Sequence, residues 1–256
     1  MKKKAYITGA SSGIGREFAL QLMNSYDLVL IARNPDQLKL LASEIQKLND
    51  LCKVQIESLD LTKYEDLSKA SNLIANDLSL GILINNAGFG TVGEFATLDI
   101  EKEQNQIHLN INALVQLTHS ALNNFKSQKS GSIVNVASIA GYLPAPFSAT
   151  YAATKAFVCS FTESIHEEAK QYGIHIQSLC PGLTHSDFHQ RAGIDKSSFP
   201  NIMWMKAEDV VKESLKSIKK NQAVCIPGAV NQTAVGLMAM VPTGLTRRIA
   251  GQLMKK

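Results

Sequence analysis

Seven short β-like runs, several of them almost continuously apolar, recur along this chain and leave few folds open to it. LVLIA at residues 28–32 and SIVNVA at 132–137 are the clearest; Ala5–Thr8, Lys53–Leu59, Gly81–Asn85, His175–Leu179 and Ala223–Ile226 are the others. A strand with one face in water alternates apolar and polar residues, whereas a strand covered by helices on both faces reads as an unbroken apolar run. The intervening segments carry the helical period. After Pro35, which suits a first helical turn, Leu38, Leu41, Ile45 and Leu48 recur every three or four residues. Val210, Val211, Leu215 and Ile218 form a second inward stripe, and long helices are expected at about 99–125 and 148–172. Strands and helices alternating at intervals of roughly 25–40 residues are βαβ units. Right-handed crossovers then leave an α/β fold with a doubly wound, seven-stranded parallel sheet.

Composition narrows the function classes. A chain of 256 residues with 45% hydrophobic residues is long enough for a sizeable core and too apolar for disorder. Its net charge of +4 comes without a dense basic stripe, so no nucleic-acid partner is expected. The four cysteines are scattered with no CxxC pair, which reads as free thiols in a reducing compartment. Only Ala5–Ile7 are apolar before Thr8 and Gly9 interrupt, too short for a secretory signal, and no run reaches the about 18 apolar residues of a membrane span. A cytoplasmic protein is expected. Residues 1–229 read as one domain, and 230–256 as a C-terminal amphipathic extension on or beside it.

The segment TGASSGIG, Thr8–Gly15, lies between the first strand and the first helix. Gly9, Gly13 and Gly15 permit a tight turn, close backbone approach to a diphosphate and close helix–strand packing, and the helix N-terminus then faces the anion. The spacing is Gly-x-x-x-Gly-x-Gly rather than Gly-x-Gly-x-x-Gly, and no Gly-Lys-Ser/Thr follows. The second strand ends in Ala32-Arg33-Asn34, beside the adenosine ribose of a dinucleotide on a Rossmann-type sheet. An acidic residue there would accept a bond from a free 2′-hydroxyl. Arg33 can instead neutralise a 2′-phosphate, which favours NADP(H) over NAD(H). Asn85-Asn86-Ala87-Gly88 closes the fourth strand at the carboxyl edge of the sheet, where such folds bind ligands; as a bare turn, the same residues supply positive φ.

Tyr151 and Lys155 stand four apart in a helical stretch and so share a face. A nearby positive charge favours the phenolate of a tyrosine, which makes the pair a candidate proton donor and acceptor. With Ser138 in NVASIAG, 13 residues before Tyr151, the ordered motifs resemble the short-chain dehydrogenase/reductase family over roughly residues 4–226. That resemblance implies that residues 1–229 are a catalytic, dinucleotide-binding domain with a substrate loop at 183–206, and that it transfers a hydride between NADP(H) and a ketone or secondary alcohol of a small or lipid-like substrate. Tyr151 would be the general acid–base and Lys155 would also bind the nicotinamide ribose. Ser138 would orient the carbonyl, and Asn110 would bend a helix and complete a proton relay. Asn110 is preferred to Asn112 because Ala113 and Thr118 then align with residues usual in the family. The implied cofactor contacts are Gly9, Ser11, Ser12, Gly13, Ile14, Gly15, Arg33, Asp60, Leu61, Asn86, Ala87, Gly88, Tyr151, Lys155, Pro181, Gly182 and Thr184, with Ser186 the alternative to Thr184. Asp60, read alone, serves equally as a helix cap.

Two other functions fit the same motifs: a 3-oxoacyl-thioester reductase of lipid synthesis, and a dinucleotide-binding regulator without turnover. The long helices at 99–125 and 148–172 resemble those that pack between family subunits, which implies a homodimer or homotetramer. His185, Asp187 and His189 lack a further ligand nearby, so no metal is expected. In the tail, Leu237, Met238, Val241, Leu245, Ile249 and Leu253 recur at helical spacing near Arg247, Arg248, Lys255 and Lys256. A docked amphipathic helix is favoured over peripheral membrane contact.

Overall fold

The apolar runs become strands buried on both faces, except at the sheet edge, where the strand Val54–Ser58 stays partly exposed. In the computed structural model, residues 2–186, 188, 200–241, 244 and 247–248 are described. The strands are β1 (Lys4–Thr8), β2 (Asp27–Ala32), β3 (Val54–Ser58), β4 (Leu80–Asn85), β5 (Gly131–Val136), β6 (Ile174–Leu179), β7 (Thr184–His185), β8 (Met205–Lys206) and β9 (Val224–Cys225). The expected seven-stranded sheet forms in the order β3-β2-β1-β4-β5-β6-β9, with every pairing parallel. The order reverses between β1 and β4, and a crevice at the carboxyl ends of those strands is where doubly wound sheets bind ligands. β7 and β8 form a separate two-stranded ladder.

The helices are α1 (Gly13–Leu22), α2 (Pro35–Leu48), α3 (Tyr64–Asn76), α4 (Ile100–Ile107), α5 (Leu114–Gln128), α6 (Ala149–Ala169), α7 (Ala207–Ile218) and α8 (Ala229–Ala239). Alternate strand residues feed two cores. Ile7, Leu30 and Val134 pack with Phe18, Leu38, Ile45, Val210 and Val211 from α1, α2 and α7. Tyr6, Val29 and Ile133 pack with Leu67, Ile74, Leu117, Phe125 and Ile165 from α3, α5 and α6. Local chemistry sets the helix starts: Asn34 accepts from the Asp36 and Gln37 amides ahead of Pro35, and Asp99 accepts from the Glu101 amide.

Three expectations need correction. Leu48 ends the α2 stripe but is exposed, because it lies in the last turn, past the edge of the sheet. The single helix expected at 99–125 is interrupted by a π-helical turn, His108–Ala113, between α4 and α5. In the tail, buried Asn231 of α8 packs against Met205 and Gly182, whereas Leu237 and Met238 are exposed. Leu245, Ile249, Leu253, Lys255 and Lys256 lie outside the described residues, as do Asp187 and His189 and residues 190–199 of the substrate loop. Among the described residues, no helix is long and apolar enough to cross a membrane.

Candidate active site

The loops after β1 and β4 are tied together at the switch point. Thr8 Oγ1 accepts from the Asn86 and Ala87 amides, both at 2.9 Å, and the Asn86 side chain donates to the Thr8 and Gly9 carbonyls at 3.0 and 3.1 Å. Gly9 and Gly13 adopt φ of +62° and +54°, and a Cβ on Gly15 would sit 2.3 Å from the Gly9 carbonyl oxygen. The glycines are therefore required by backbone geometry and by packing. Asn85 faces away from this crevice: its amide donates to Thr118 Oγ1 and Asn135 Oδ1, and Asn135 donates to Thr162, a buried chain that pins α5 and α6 to the sheet.

Arg33 is exposed at the end of β2, while the neighbouring Asn34 is committed to capping α2. Asp60 accepts from the Thr62 amide and hydroxyl at 3.1 and 2.7 Å. Burial raises its pKa, but the Thr62 bonds and the positive charge of Arg33 outweigh burial and hold the carboxyl below its ordinary value. Asp60 thus shapes the turn into α3 and also faces Arg33. The Leu61 side chain belongs to the core, so only its backbone is available to a ligand.

Four side chains converge where β4, β5, the π turn and α6 meet. Lys155 is 6% exposed and donates to the Val136 carbonyl at 2.8 Å. Buried Asn110 clamps Phe89, donating to its carbonyl at 3.0 Å and accepting from its amide at 3.2 Å, and also donates to Thr154 Oγ1 at 3.1 Å. A Cβ on Gly88 would lie 2.9 Å from Asn110 Oδ1 and 3.7 Å from Lys155 Nζ, so both groups abut this glycine. The π turn brings Asn110 inward and leaves Asn112 exposed against His108. Ser138 Oγ accepts from the Ala140 amide at 3.1 Å and reaches the Pro181 carbonyl at 3.4 Å, and it is near enough to Tyr151 to favour its phenolate.

The electrostatics differ from the simple Tyr–Lys expectation. Burial pushes the Tyr151 phenol up to about 12, against a lowering by Ser138, and Lys155 does not bring it down. The ammonium lies 5.7 Å from the Tyr151 ring centroid and is committed to Val136. Burial pulls Lys155 itself down to about 8 from 10.5. Between those values the unfolded chain holds a proton that the folded chain has lost, so Lys155 makes stability rise with pH. The raised Tyr151 acts oppositely, but only above its ordinary value of 10.0. From pH 8 to 10, wild type is therefore expected to gain on Lys155→Met by up to about 1.4 kcal/mol per pH unit in chemical denaturation. A constant difference across that window would mean that Lys155 keeps its ordinary proton affinity.

The turn at Pro181-Gly182 runs beneath α8, where a Gly182 Cβ would meet Asn231 Oδ1 at 2.4 Å. Thr184 is buried and donates back to the Gly182 carbonyl at 3.0 Å. Ser186 instead lies over the phosphate loop, its Cβ 3.0 Å from a Cβ placed on Gly13. Ser186 is thus the hydroxyl facing the loop, the reverse of the preference drawn from sequence. Phe188 packs on Tyr151 with centroids 5.5 Å apart, and Gly90 closes on the same ring. No sequence signal marked Phe188, Gly90 or the Thr154 partner of Asn110. His185 stacks on Trp204, and among the described residues no cluster suited to a metal occurs.

These residues fit the diphosphate of a dinucleotide: positive-φ glycines open the loop, α1 has no acidic residue in its first turn to compete with an anion, and Arg33 is exposed at the end of β2.

Residues 3–197 match the family model described as short chain dehydrogenase. The 17-beta-hydroxysteroid dehydrogenase type 3 of Homo sapiens is 30% identical over 245 residues, covering 94% of this chain and 76% of that protein. The very-long-chain 3-oxoacyl-CoA reductase of Coprinopsis cinerea is 33% identical over 181 residues, 68% of this chain, and the match spans about half, 52%, of that reductase. Among solved structures, a short-chain dehydrogenase from Sphingobium yanoikuyae in complex with NADPH is 32% identical with a TM-score of 0.84, covering 94% of this chain and 96% of that one. The bulky-bulky ketone specific alcohol dehydrogenase from Comamonas testosteroni is 30% identical with a TM-score of 0.80, covering 94% and 95%.

Proposed function

Because this chain belongs to the short-chain dehydrogenase family, we propose that it is an NADP(H)-dependent carbonyl reductase, equally an alcohol dehydrogenase in reverse, acting on ketones with apolar substituents. The observation that carries this reading is the convergence of Asn110, Ser138, Tyr151 and Lys155 beside a loop shaped for a diphosphate. The phosphate loop with Ser11, Ser12 and Ile14, the Asn86–Gly88 turn, the Asp60-Leu61 and Pro181-Gly182 turns and Ser186 would hold the dinucleotide, and Arg33 its 2′-phosphate. When bound, the dinucleotide supplies or accepts the hydride. Ser138 donates a hydrogen bond to the substrate carbonyl, strengthening as negative charge develops there. Tyr151, protonated at neutral pH because burial raises its pKa, delivers its proton to the nascent alkoxide oxygen. Lys155 and Asn110 form the path by which that proton is replaced. Phe188, packed on Tyr151, gives the substrate side an apolar wall.

The names of the relatives support a ketone or lipid-like substrate, and the NADPH complex of the Sphingobium enzyme supports the cofactor. Exposed Ile100, Ile107 and Phe157 on and beside the long helices support a homodimer or homotetramer. A panel of bulky ketones and 3-oxoacyl thioesters with NADPH tests the reading. Ketone-dependent NADPH oxidation is the expected result. Thioesters turning over more than about tenfold faster would move the assignment to lipid synthesis, a difference of roughly 1.4 kcal/mol in the barrier.

A further inference from the structure

Two cysteines that the proposed mechanism does not use lie against one another behind the catalytic helix. Cys159 is one turn beyond Lys155 on α6, and Cys180 directly precedes Pro181 at the end of β6. Their sulfurs are 3.7 Å apart; Cys159 is 6% and Cys180 0% exposed. Cys180 also touches Ser178 Oγ at 3.3 Å and Tyr142 Oη at 3.6 Å. Cys52, by contrast, meets only backbone carbonyls of Tyr26 and Lys53. A disulfide bond is about 2.05 Å long, so side-chain rotation and a small backbone adjustment must close roughly 1.7 Å.

We propose that Cys159 and Cys180 are a peroxide-oxidisable pair whose reversible disulfide arrests the enzyme. Cys159 is the attacking sulfur: it keeps 6% of its surface exposed where Cys180 has none, and their contact lowers the Cys159 thiol while the same contact and burial push Cys180 up. The Cys159 thiolate attacks a hydroperoxide: an S–O bond forms, the O–O bond breaks, and hydroxide or alkoxide leaves. Cys180 then attacks the sulfenic sulfur; the S–S bond forms, the S–O bond breaks, and the departing hydroxide takes the Cys180 proton as water. The two thiols lose two electrons and the peroxide gains them. A dithiol reverses the cross-link by exchange. Tyr142, 36% exposed, covers Cys180 with its hydroxyl, and Cys159 is the sulfur-bearing residue of the pair that keeps contact with solvent.

The cross-link reaches the site through the backbone. The Pro181 carbonyl accepts from the Ile139 amide at 3.1 Å and is touched by Ser138 Oγ, so drawing Cys180 toward α6 displaces Ser138 from its position. The test treats the folded full-length protein with hydrogen peroxide and reads intact mass, peptide cross-links and NADPH turnover. The expected result is loss of the mass of two hydrogens, a cross-link joining the peptides of Cys159 and Cys180, and turnover down by about 100-fold, all restored by dithiothreitol. Cys180→Ser is expected to stop at a sulfenic acid on Cys159 that dimedone labels. A mass that only rises by oxygen atoms, with no such cross-link, overturns the proposal. Equal inactivation of Cys159→Ser, or full turnover in the cross-linked protein, overturns the arrest. The arrest rests on the carbonyl reductase reading, whereas the mass and cross-link readouts do not.

Discussion

Tyr151→Phe is expected to lower kcat for carbonyl reduction by about 10²–10⁴-fold while leaving NADPH binding within about threefold of wild type. The substitution removes only an oxygen from a ring already packed against Phe188 and Gly90, so the fold and the cofactor cleft keep their shape. What disappears is the acid that, in the proposed mechanism, transfers its proton to the carbonyl oxygen. Ser138 remains and can still donate one hydrogen bond, but its hydroxyl is shared with the Ala140 amide and the Pro181 carbonyl and cannot also supply a proton. The direction of reaction sharpens the test. A phenol pushed up to about 12 is protonated throughout the physiological range, so reduction finds its acid ready. Oxidation of an alcohol needs the phenolate, and its rate in wild type should rise with pH while reduction stays flat or falls. Stopped-flow NADPH fluorescence in both directions separates these limbs. Turnover of Tyr151→Phe close to wild type would exclude Tyr151 as the acid. A wild type that binds NADPH tightly and reduces no carbonyl would instead identify a dinucleotide-binding regulator.

The same local contacts explain what could be read from the chain and what could not. Doubly covered strands leave an unmistakable apolar run, so LVLIA and SIVNVA located β2 and β5 and implied helices on both faces. The phosphate loop was visible because positive φ at Gly9 and Gly13 and the tight fit at Gly15 each demand glycine. The π turn leaves no break in the helical pattern of residues 108–113, and only the family resemblance implied a bend at Asn110; the extra residue in the turn goes with Asn110 binding Phe89 and Thr154, 21 and 44 positions away. The β7–β8 ladder joins two-residue strands separated by the substrate loop, too short for any period to register. The different placement of Thr184 and Ser186 was hidden for a related reason. Both are small hydroxyls two residues apart, and only the path of the chain over Gly13 distinguishes the one turned outward from the one bonded to Gly182. The depressed Lys155 was equally hidden, since its value comes from burial beneath Val136 and not from its spacing to Tyr151.

Arg33→Asp is expected to lower the ratio of kcat/KM for NADPH to that for NADH by about 100-fold, with the loss carried by KM for NADPH and with kcat little changed. A charge-assisted bond from a guanidinium to a phosphate is worth about 1.5–3 kcal/mol, and the introduced carboxylate adds repulsion toward a 2′-phosphate while offering an acceptor to a free 2′-hydroxyl. Stability should change little, because Arg33 is exposed and α2 is capped by Asn34, not by Arg33. The cost falls instead on Asp60, which loses a nearby positive charge and gains a negative one, so its carboxyl should titrate closer to its ordinary value. Arg16 is the natural comparator, since it too stands near the phosphate loop. Its guanidinium is already held by Glu44 at 2.6 Å, on half-exposed side chains, and a guanidinium so committed must break that pair before it can serve a phosphate. Arg16→Ala should therefore move the cofactor ratio much less than Arg33→Asp. Steady-state kinetics with both cofactors at a fixed ketone concentration measure the two ratios. An unchanged ratio in Arg33→Asp would mean that no 2′-phosphate is read at the end of β2, and a larger shift in Arg16→Ala would transfer that role to α1.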